Sequence, residues 1–252
     1  MQAIVAPMLE LRSLPVECAQ RRRDSACATC GARAFSVCDS LPPEDLDQLD
    51  SIAEQTRFAT GEVLVREGER ADHLFNVTSG ALRIYKLMPD GRRQITGFLF
   101  AGDFVGLATG PTYAFSAEAI EDTTVCRFRK ADYLALLQET PALGSALLER
   151  ARHELAAAQN QMLLLGRKSA QERIASFLLD LPGLDPARPL EDGHVHLPMT
   201  RAEMADYLGL TIETVSRGLT KLKTAGIIRL LSLHELRVEQ PERLRAIAEG
   251  EA

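Results

Sequence analysis

Between residues 58 and 128 the apolar positions come in short β-type runs separated by glycine, the pattern of a sheet protein with tight turns. The runs are Val63-Leu64-Val65, Leu74-Phe75-Asn76-Val77, Leu82-Arg83-Ile84-Tyr85, Ile95-Thr96-Gly97-Phe98 and Thr124-Val125-Cys126-Arg127-Phe128, with glycine at 61, 68, 80, 91, 102 and 106. Short strands so punctuated predict a barrel or jelly roll. Pro89-Asp90-Gly91 reads as the turn of a hairpin. Upstream, Leu41-Pro42-Pro43-Glu44 opens a short helix that puts Leu46, Leu49 and Ile52 on one face, with proline where a first turn tolerates it. Residues 1–26 hold no sustained period and read as irregular, the run Arg21-Arg22-Arg23 as a solvated patch.

After Pro141 the spacing changes to three and four. Leu143, Leu147, Ala151, Leu155, Ala158, Met162 and Leu165 draw one apolar stripe along a helix of about 25 residues, some 37 Å at about 1.5 Å per residue. Its own barrel does not cover so long a stripe, so a second copy packed in parallel, coiled-coil fashion, is expected. From Ala156 to Leu165 no charged side chain opposes close approach. Gly166 is the expected end of this helix. Ser169-Ala170-Gln171-Glu172 is a capping box that starts the next, running to about Leu181 before Pro182-Gly183. A proline- and acid-rich connection, residues 184–192, leads to a strand at residues 194–197. There His194 and His196 share a face as a conceivable metal pair, without an evident third ligand.

Thr200-Arg201-Ala202-Glu203 is a further capping box, and Thr211 is the N-cap of a second short helix after Gly209. Two short helices joined by a glycine turn predict a helix-turn-helix, with Ala205 small where the helices cross, Gly209 in the turn and Val215 in the interhelix core. In the second helix Glu213, Ser216 and Arg217 stand at i, i+3 and i+4 and share one face. Arginine binds guanine O6 and N7, glutamate accepts from cytosine N4, and serine reaches a neighbouring base or phosphate. Lys221 and Lys223 follow as phosphate contacts, and residues 227–238 as a β wing.

Composition changes this picture little. The 252 residues, 46% apolar and 25% charged, suit one large or two modest soluble domains. No apolar run approaches the roughly 20 residues of a membrane span, and Glu10, Arg12 and Glu17 interrupt any leader, so a cytoplasmic protein without a membrane partner is expected. The net charge of −6 argues against indiscriminate nucleic-acid binding. Within residues 210–237, however, Arg217, Lys221, Lys223, Arg229 and Arg237 face only Glu213 and Glu235, leaving a local basic surplus.

Cys27, Cys30 and Cys38 place three thiols in twelve residues, and a reducing compartment with five cysteines in all argues for metal or redox chemistry over disulfides. An iron–sulfur cluster takes four thiolates, and so does structural zinc. Cysteine spacing alone does not distinguish the two. No nucleophile–base set marks an enzyme.

The chain resembles, over nearly its whole length, the CRP/FNR superfamily of bacterial transcription regulators, and within it the FNR-type oxygen sensors. The cysteine cluster followed by DLDQLDSI (45–52), QITGFLFAGDFVGL (94–107), TTVCRF (123–128) and LTIETVSR (210–217) carry the resemblance. It implies an α+β architecture: a cysteine-bearing segment (1–40), a cyclic-nucleotide-binding-like β-roll or jelly roll (41–140), a dimerisation helix (141–166) and a winged helix-turn-helix (167–252). It also implies Cys126 as fourth ligand, beside Cys27, Cys30 and Cys38, of an oxygen-labile [4Fe–4S] cluster, with Cys18 as a spare. The Glu-x-x-Ser-Arg signature implies palindromes of the TTGAT-N4-ATCAA kind, Glu213 and Arg217 on the G·C pair and Ser216 on the adjacent thymine. A homodimer, an activator touching RNA polymerase through the hairpin at residues 89–92, and control of anaerobic metabolism belong to the same expectation. No cyclic nucleotide is expected: where the family holds ribose and phosphate with Gly-Glu and Arg-Ser or Arg-Thr, this chain has Gly106-Leu107 and Phe115-Ser116, and a phosphate buried without its arginine costs on the order of several kcal/mol. A family member answering nitric oxide or thiol redox state is the alternative. An iron–sulfur electron carrier is the alternative from another class, and it leaves the helix-turn-helix unexplained.

Overall fold

The computed structural model describes residues 27, 29–106, 110–188 and 193–251, so the arginine run at 21–23, Cys18 and Leu107 lie outside the described residues. A 3-10 turn, Arg33–Phe35, leads into helix α1, Pro43–Ser51, whose Leu46 and Leu49 turn inward. Eight strands follow: β1 (Ala53–Phe58), β2 (Val63–Val65), β3 (His73–Ser79), β4 (Leu82–Leu87), β5 (Arg93–Leu99), β6 (Phe104–Val105), β7 (Ser116–Ala119) and β8 (Thr123–Arg129). They form two four-stranded antiparallel sheets, ordered β1-β8-β3-β6 and β2-β7-β4-β5, which face each other across Val77, Leu82, Val105, Ala117 and Val125 as a jelly roll.

Every run read as a strand is one. Three strands carried no such signal. β1 reads AEQTRF and is half exposed at a sheet edge, β6 has two residues, and β7 is the small-residue stretch SAEA.

The chain then turns helical without a break. α2, Lys130–Glu139, starts directly after β8 and was not anticipated, because no glycine or proline separates the two. α3, Pro141–Arg167, is the long helix, and Gly166 falls inside its last turn rather than ending it. Its first turns are anchored, Leu143 being fully buried, but residues 151–160 are exposed throughout, with Leu155 62% and Met162 72% exposed. In α4, Ala170–Leu184, the capping box of Ser169 and Glu172 is formed. The helix runs through Pro182 instead of stopping before it.

The rest is a winged unit. α5, Arg201–Leu208, and α6, Ile212–Thr224, make the helix-turn-helix. β9 (His194–His196), β10 (Ile228–Leu230) and β11 (Glu235–Val238) pair in the order β10-β11-β9, and α7, Pro241–Glu249, packs at the end. One apolar core, including Ile174, Phe177, Met204, Leu208, Val215, Leu219 and Leu236, fills this unit and continues into Tyr85, Ile95 and Phe98 of the β-roll.

Candidate functional site

The cysteines are positioned by packing before any chemistry is considered. Cys27 and Cys38 are buried, and Cys30 and Cys126 are half-buried. All four are free thiols. Cys27 and Cys38 belong to a core with Val37, Leu41, Leu46, Leu49, Phe128, Tyr133 and Leu143, against which Cys126, Ala146 and Leu147 pack. The turn that carries Cys30 and Cys38 rests on Gly102, at φ +95°, where a Cβ would lie 2.5 Å from the Phe35 carbonyl oxygen. Cys126 faces this core from β8, whose neighbours β1 and β3 set Gln55 and Asn76 opposite it. The N-terminal turn, the sheet and the base of α3 therefore share one apolar interior.

The thiols lie within one another's electrostatic reach. Burial above all, then a hydrogen bond with Asp50 and the nearness of Cys126 and Cys38, pushes the Cys27 thiol well up. Burial, with Cys30 and Cys38 adding to it, pushes Cys126 up to about 12. Cys38 is raised by burial too, against a Ser36 hydrogen bond that favours its thiolate. Among the described residues no three His, Cys, Asp or Glu side chains stand in the geometry of a single metal ion. His194 and His196 in particular do not form such a site. His194 is exposed, and His196 Nε2 lies 2.7 Å from Glu121 in the β7–β8 turn.

At the other end, α6 is set by its cap and its core. The Thr211 hydroxyl accepts from Thr214 N at 3.2 Å, Val215, Leu219 and Leu222 point inward, and Gly209 makes the left-handed turn at φ +62°. Glu213, Ser216, Arg217, Lys221 and Lys223 are all exposed on the outer side. Hydrogen bonds from its own backbone N–H and the Thr211 hydroxyl, with Arg217 nearby, hold the Glu213 carboxyl below the usual carboxylate range, so it stays an acceptor. The wing adds Arg229, paired with Glu239 at 2.9 Å. Sequence reading had missed α7. Its signals were present all the same, in Pro241 at the first helical position and Gly250 just past the end.

Two family models match, the cyclic nucleotide-binding domain over residues 55–140 and the Crp-like helix-turn-helix domain over residues 172–247. The transcriptional activatory protein AadR of Rhodopseudomonas palustris is 42% identical over 87% of this chain and 91% of its own length. The chain belongs to the CRP/FNR family of transcription regulators. Other family relatives are the nitrogen fixation regulation protein FixK of Bradyrhizobium diazoefficiens, 41% identical over 88% of this chain and 93% of that one, and the transcriptional activator FnrL of Cereibacter sphaeroides, 40% identical over 81% and 84%. Among solved structures, FixK2 from Bradyrhizobium japonicum superposes with a TM-score of 0.73 at 38% identity, covering 78% of this chain and 97% of that one. In the family's nucleotide-binding frame, Ser116 of this chain is buried and its hydroxyl accepts from Glu67 N at 3.0 Å. No helix among the described residues is long and apolar enough to cross a membrane.

Proposed function

We propose that this CRP/FNR-family regulator is an activator that senses oxygen through a [4Fe–4S] cluster held by Cys27, Cys30, Cys38 and Cys126, and that it binds TTGAT-type palindromes as a homodimer. The observation that carries the reading is the core that Cys27, Cys38 and Cys126 share with the base of α3. The donor set fits such a group. Four cysteines are the ligand number that such a cluster takes. Burial raises the pKa of Cys27, Cys38 and Cys126, with Asp50 adding to it at Cys27, so a cationic group is what would draw them into the thiolate form. When bound, a [4Fe–4S] cluster supplies an oxygen-reactive centre.

The chain's own residues do the rest. Cys27, Cys30 and Cys38 belong to the N-terminal segment and Cys126 to β8, so linking all four ties that segment over Leu143 and Leu147 and steadies the first turns of α3. The exposed stripe on the same helix then pairs with a second copy. Two α6 helices come to lie about one DNA turn apart, with Glu213 and Arg217 on the G·C pair, Ser216 on the thymine, and Lys221 and Lys223 on phosphates. Leu87 and Met88, exposed beside the hairpin turn, offer RNA polymerase a contact. Cyclic nucleotide has no role in this reading, since the Ser116 hydroxyl is already engaged and no arginine accompanies it in the sequence. Direct thiol-redox sensing by Cys27 or Cys38 is disfavoured by their burial, because buried thiols react slowly.

Anaerobic purification tests the proposal. The expected result is iron and labile sulfide in about 4:4 ratio per chain with a visible absorption band. Admitting air should bleach that band and weaken both dimerisation and DNA binding, and Cys126→Ala should abolish all three. A protein purified without iron, or one whose dimer and DNA affinity ignore air, overturns the oxygen reading.

A further inference from the structure

The β-roll grips the helix-turn-helix of its own protomer. Arg93 in β5 meets Asp206 in α5, with Nε at 2.9 Å and Nη2 at 2.8 Å from the same carboxylate oxygen. The Gln94 amide donates to the Asp206 carbonyl at 2.7 Å. Arg83 in β4 bridges Glu118 of β7 and Glu203 of α5, and Glu203 also closes the capping box of α5 by accepting from Thr200 N at 2.6 Å. Between these ties Phe98 packs on Tyr207 and Phe177, at ring separations of 5.2 and 6.2 Å. Apart from Phe177, which lies in α4, the winged-unit side of these contacts falls on α5, the supporting helix. The DNA-facing side of α6 is left exposed.

The winged unit hangs from α3 by a short joint, Lys168 and Ser169, both in extended conformation. Arg173 holds the pivot, donating to the carbonyls of Leu165, Lys168 and Leu208 at 2.8, 2.9 and 2.9 Å. A pivot alone leaves an angle free. The roll's hold on Asp206 and Glu203, about half a turn and one and a half turns before Leu208, supplies the second point.

We infer that Arg93 and Asp206, supported by Gln94 and Arg83, are positioning residues for DNA reading: they fix α5, and through the α5–α6 packing the recognition helix, at one angle to the long helix of the same chain. This rests on the reading of a dimer whose two recognition helices must match a fixed spacing, and it assigns the hold on that spacing to the sensor's β5 as well as to the dimer helix. Asp206 and Arg93 are about two-thirds to three-quarters buried, at 31% and 26% exposure, so their pairing is less screened than a surface pair.

The test uses the full chain and the duplex that the unaltered protein selects from random sequences. Compared are Arg93→Asp, Asp206→Arg and the double exchange, each for dimerisation by sedimentation and for affinity to that duplex and to the same duplex with one base pair inserted at its centre. Each single change sets like charges face to face. It is expected to cost about tenfold in affinity and to flatten the preference for the uninterrupted duplex, with dimerisation unchanged and both properties recovered in the double exchange. Asp206→Arg adds positive charge, so its loss is not a salt effect. Arg93→Ala, which removes the pair without repulsion, should fall in between. Single variants that bind and discriminate as the parent does, or a double exchange that recovers nothing, overturn the assignment. Failure of the palindrome reading would show instead in the selected sequence itself, and failure of the dimer reading in the parent's sedimentation.

Discussion

At Gly102 one missing Cβ joins the cysteine turn to the sheet. Alanine there would need a left-handed backbone at φ +95° and would place a methyl 2.5 Å from the Phe35 carbonyl oxygen and 2.7 Å from its carbon. Backbone is not moved aside as a side-chain end is, so Gly102→Ala should cost about 2 kcal/mol or more and lift the turn off the roll. The reading is thiol exposure: Cys27 and Cys38 should react with a thiol reagent faster than in the parent, with no metal loaded in either. Sequence reading found this glycine as a turn residue but not as a seat, because its partner lies 67 positions away (from Phe35 to Gly102) and no local pattern joins them. The recognition face is the opposite case, since its spacing lies within one helix. Arg217→Ala should cost about 1–3 kcal/mol on the selected duplex and relax discrimination at one base pair, whereas Lys221→Ala should weaken all duplexes alike and lower the salt slope by about 1. Competition titrations against single-base variants at two salt concentrations separate these. Equal loss on every sequence for Arg217→Ala would remove it from base reading.

Among elements, α3 states its need for a partner most plainly. Its first turns are fixed by Leu143 and its last by Leu164, while the ten residues 151–160 between them touch solvent. Leu155→Glu puts a charge at a side chain left 62% exposed, so the folded chain should keep its thermal midpoint and lose its dimer in sedimentation. If the dimer persists, the stripe is not the interface. Periodicity made this helix legible because its pattern repeats over about six turns, from Leu143 to Leu165. Elements whose identity comes from tertiary pairing were not: β1 is a charged edge strand ordered by the register of Thr56 on Val125, and α2 is a helix only in that Tyr133 and Leu136 complete the cysteine core. Pro182 misled for a related reason, since in the last turn of α4 the neighbouring Leu181 is buried and holds the helix past a residue that would end it in isolation.

On the scale of the whole molecule, the β-roll and the winged unit meet a second time at Glu121, and here the contact titrates. Its carboxylate takes His196 Nε2 at 2.7 Å and both Arg188 terminal nitrogens at 3.2 and 3.3 Å. The hydrogen bond with His196, then Arg188, outweighs burial and lowers its pKa below the ordinary 4.5. A carboxylate depressed in the folded state contributes stability that is fully present above its unfolded value and is lost as pH falls through the folded one. Asp185 nearby runs the other way, its pKa raised by burial, so the acid profile of the parent alone is a mixture. Comparison with Glu121→Gln isolates the contact. The variant should be less stable than the parent at neutral pH, and the two thermal midpoints should converge between about pH 5 and pH 3 as the parent's carboxylate protonates. Parallel curves would mean that the His196 and Arg188 contacts do not discriminate the charged form. Because one partner is a turn of the roll and the others are His196 in β9 and Arg188 before it, that convergence would also report the two units separating. Neither unit's sequence signals such a contact: the residues involved lie 67 and 75 positions apart and share no motif.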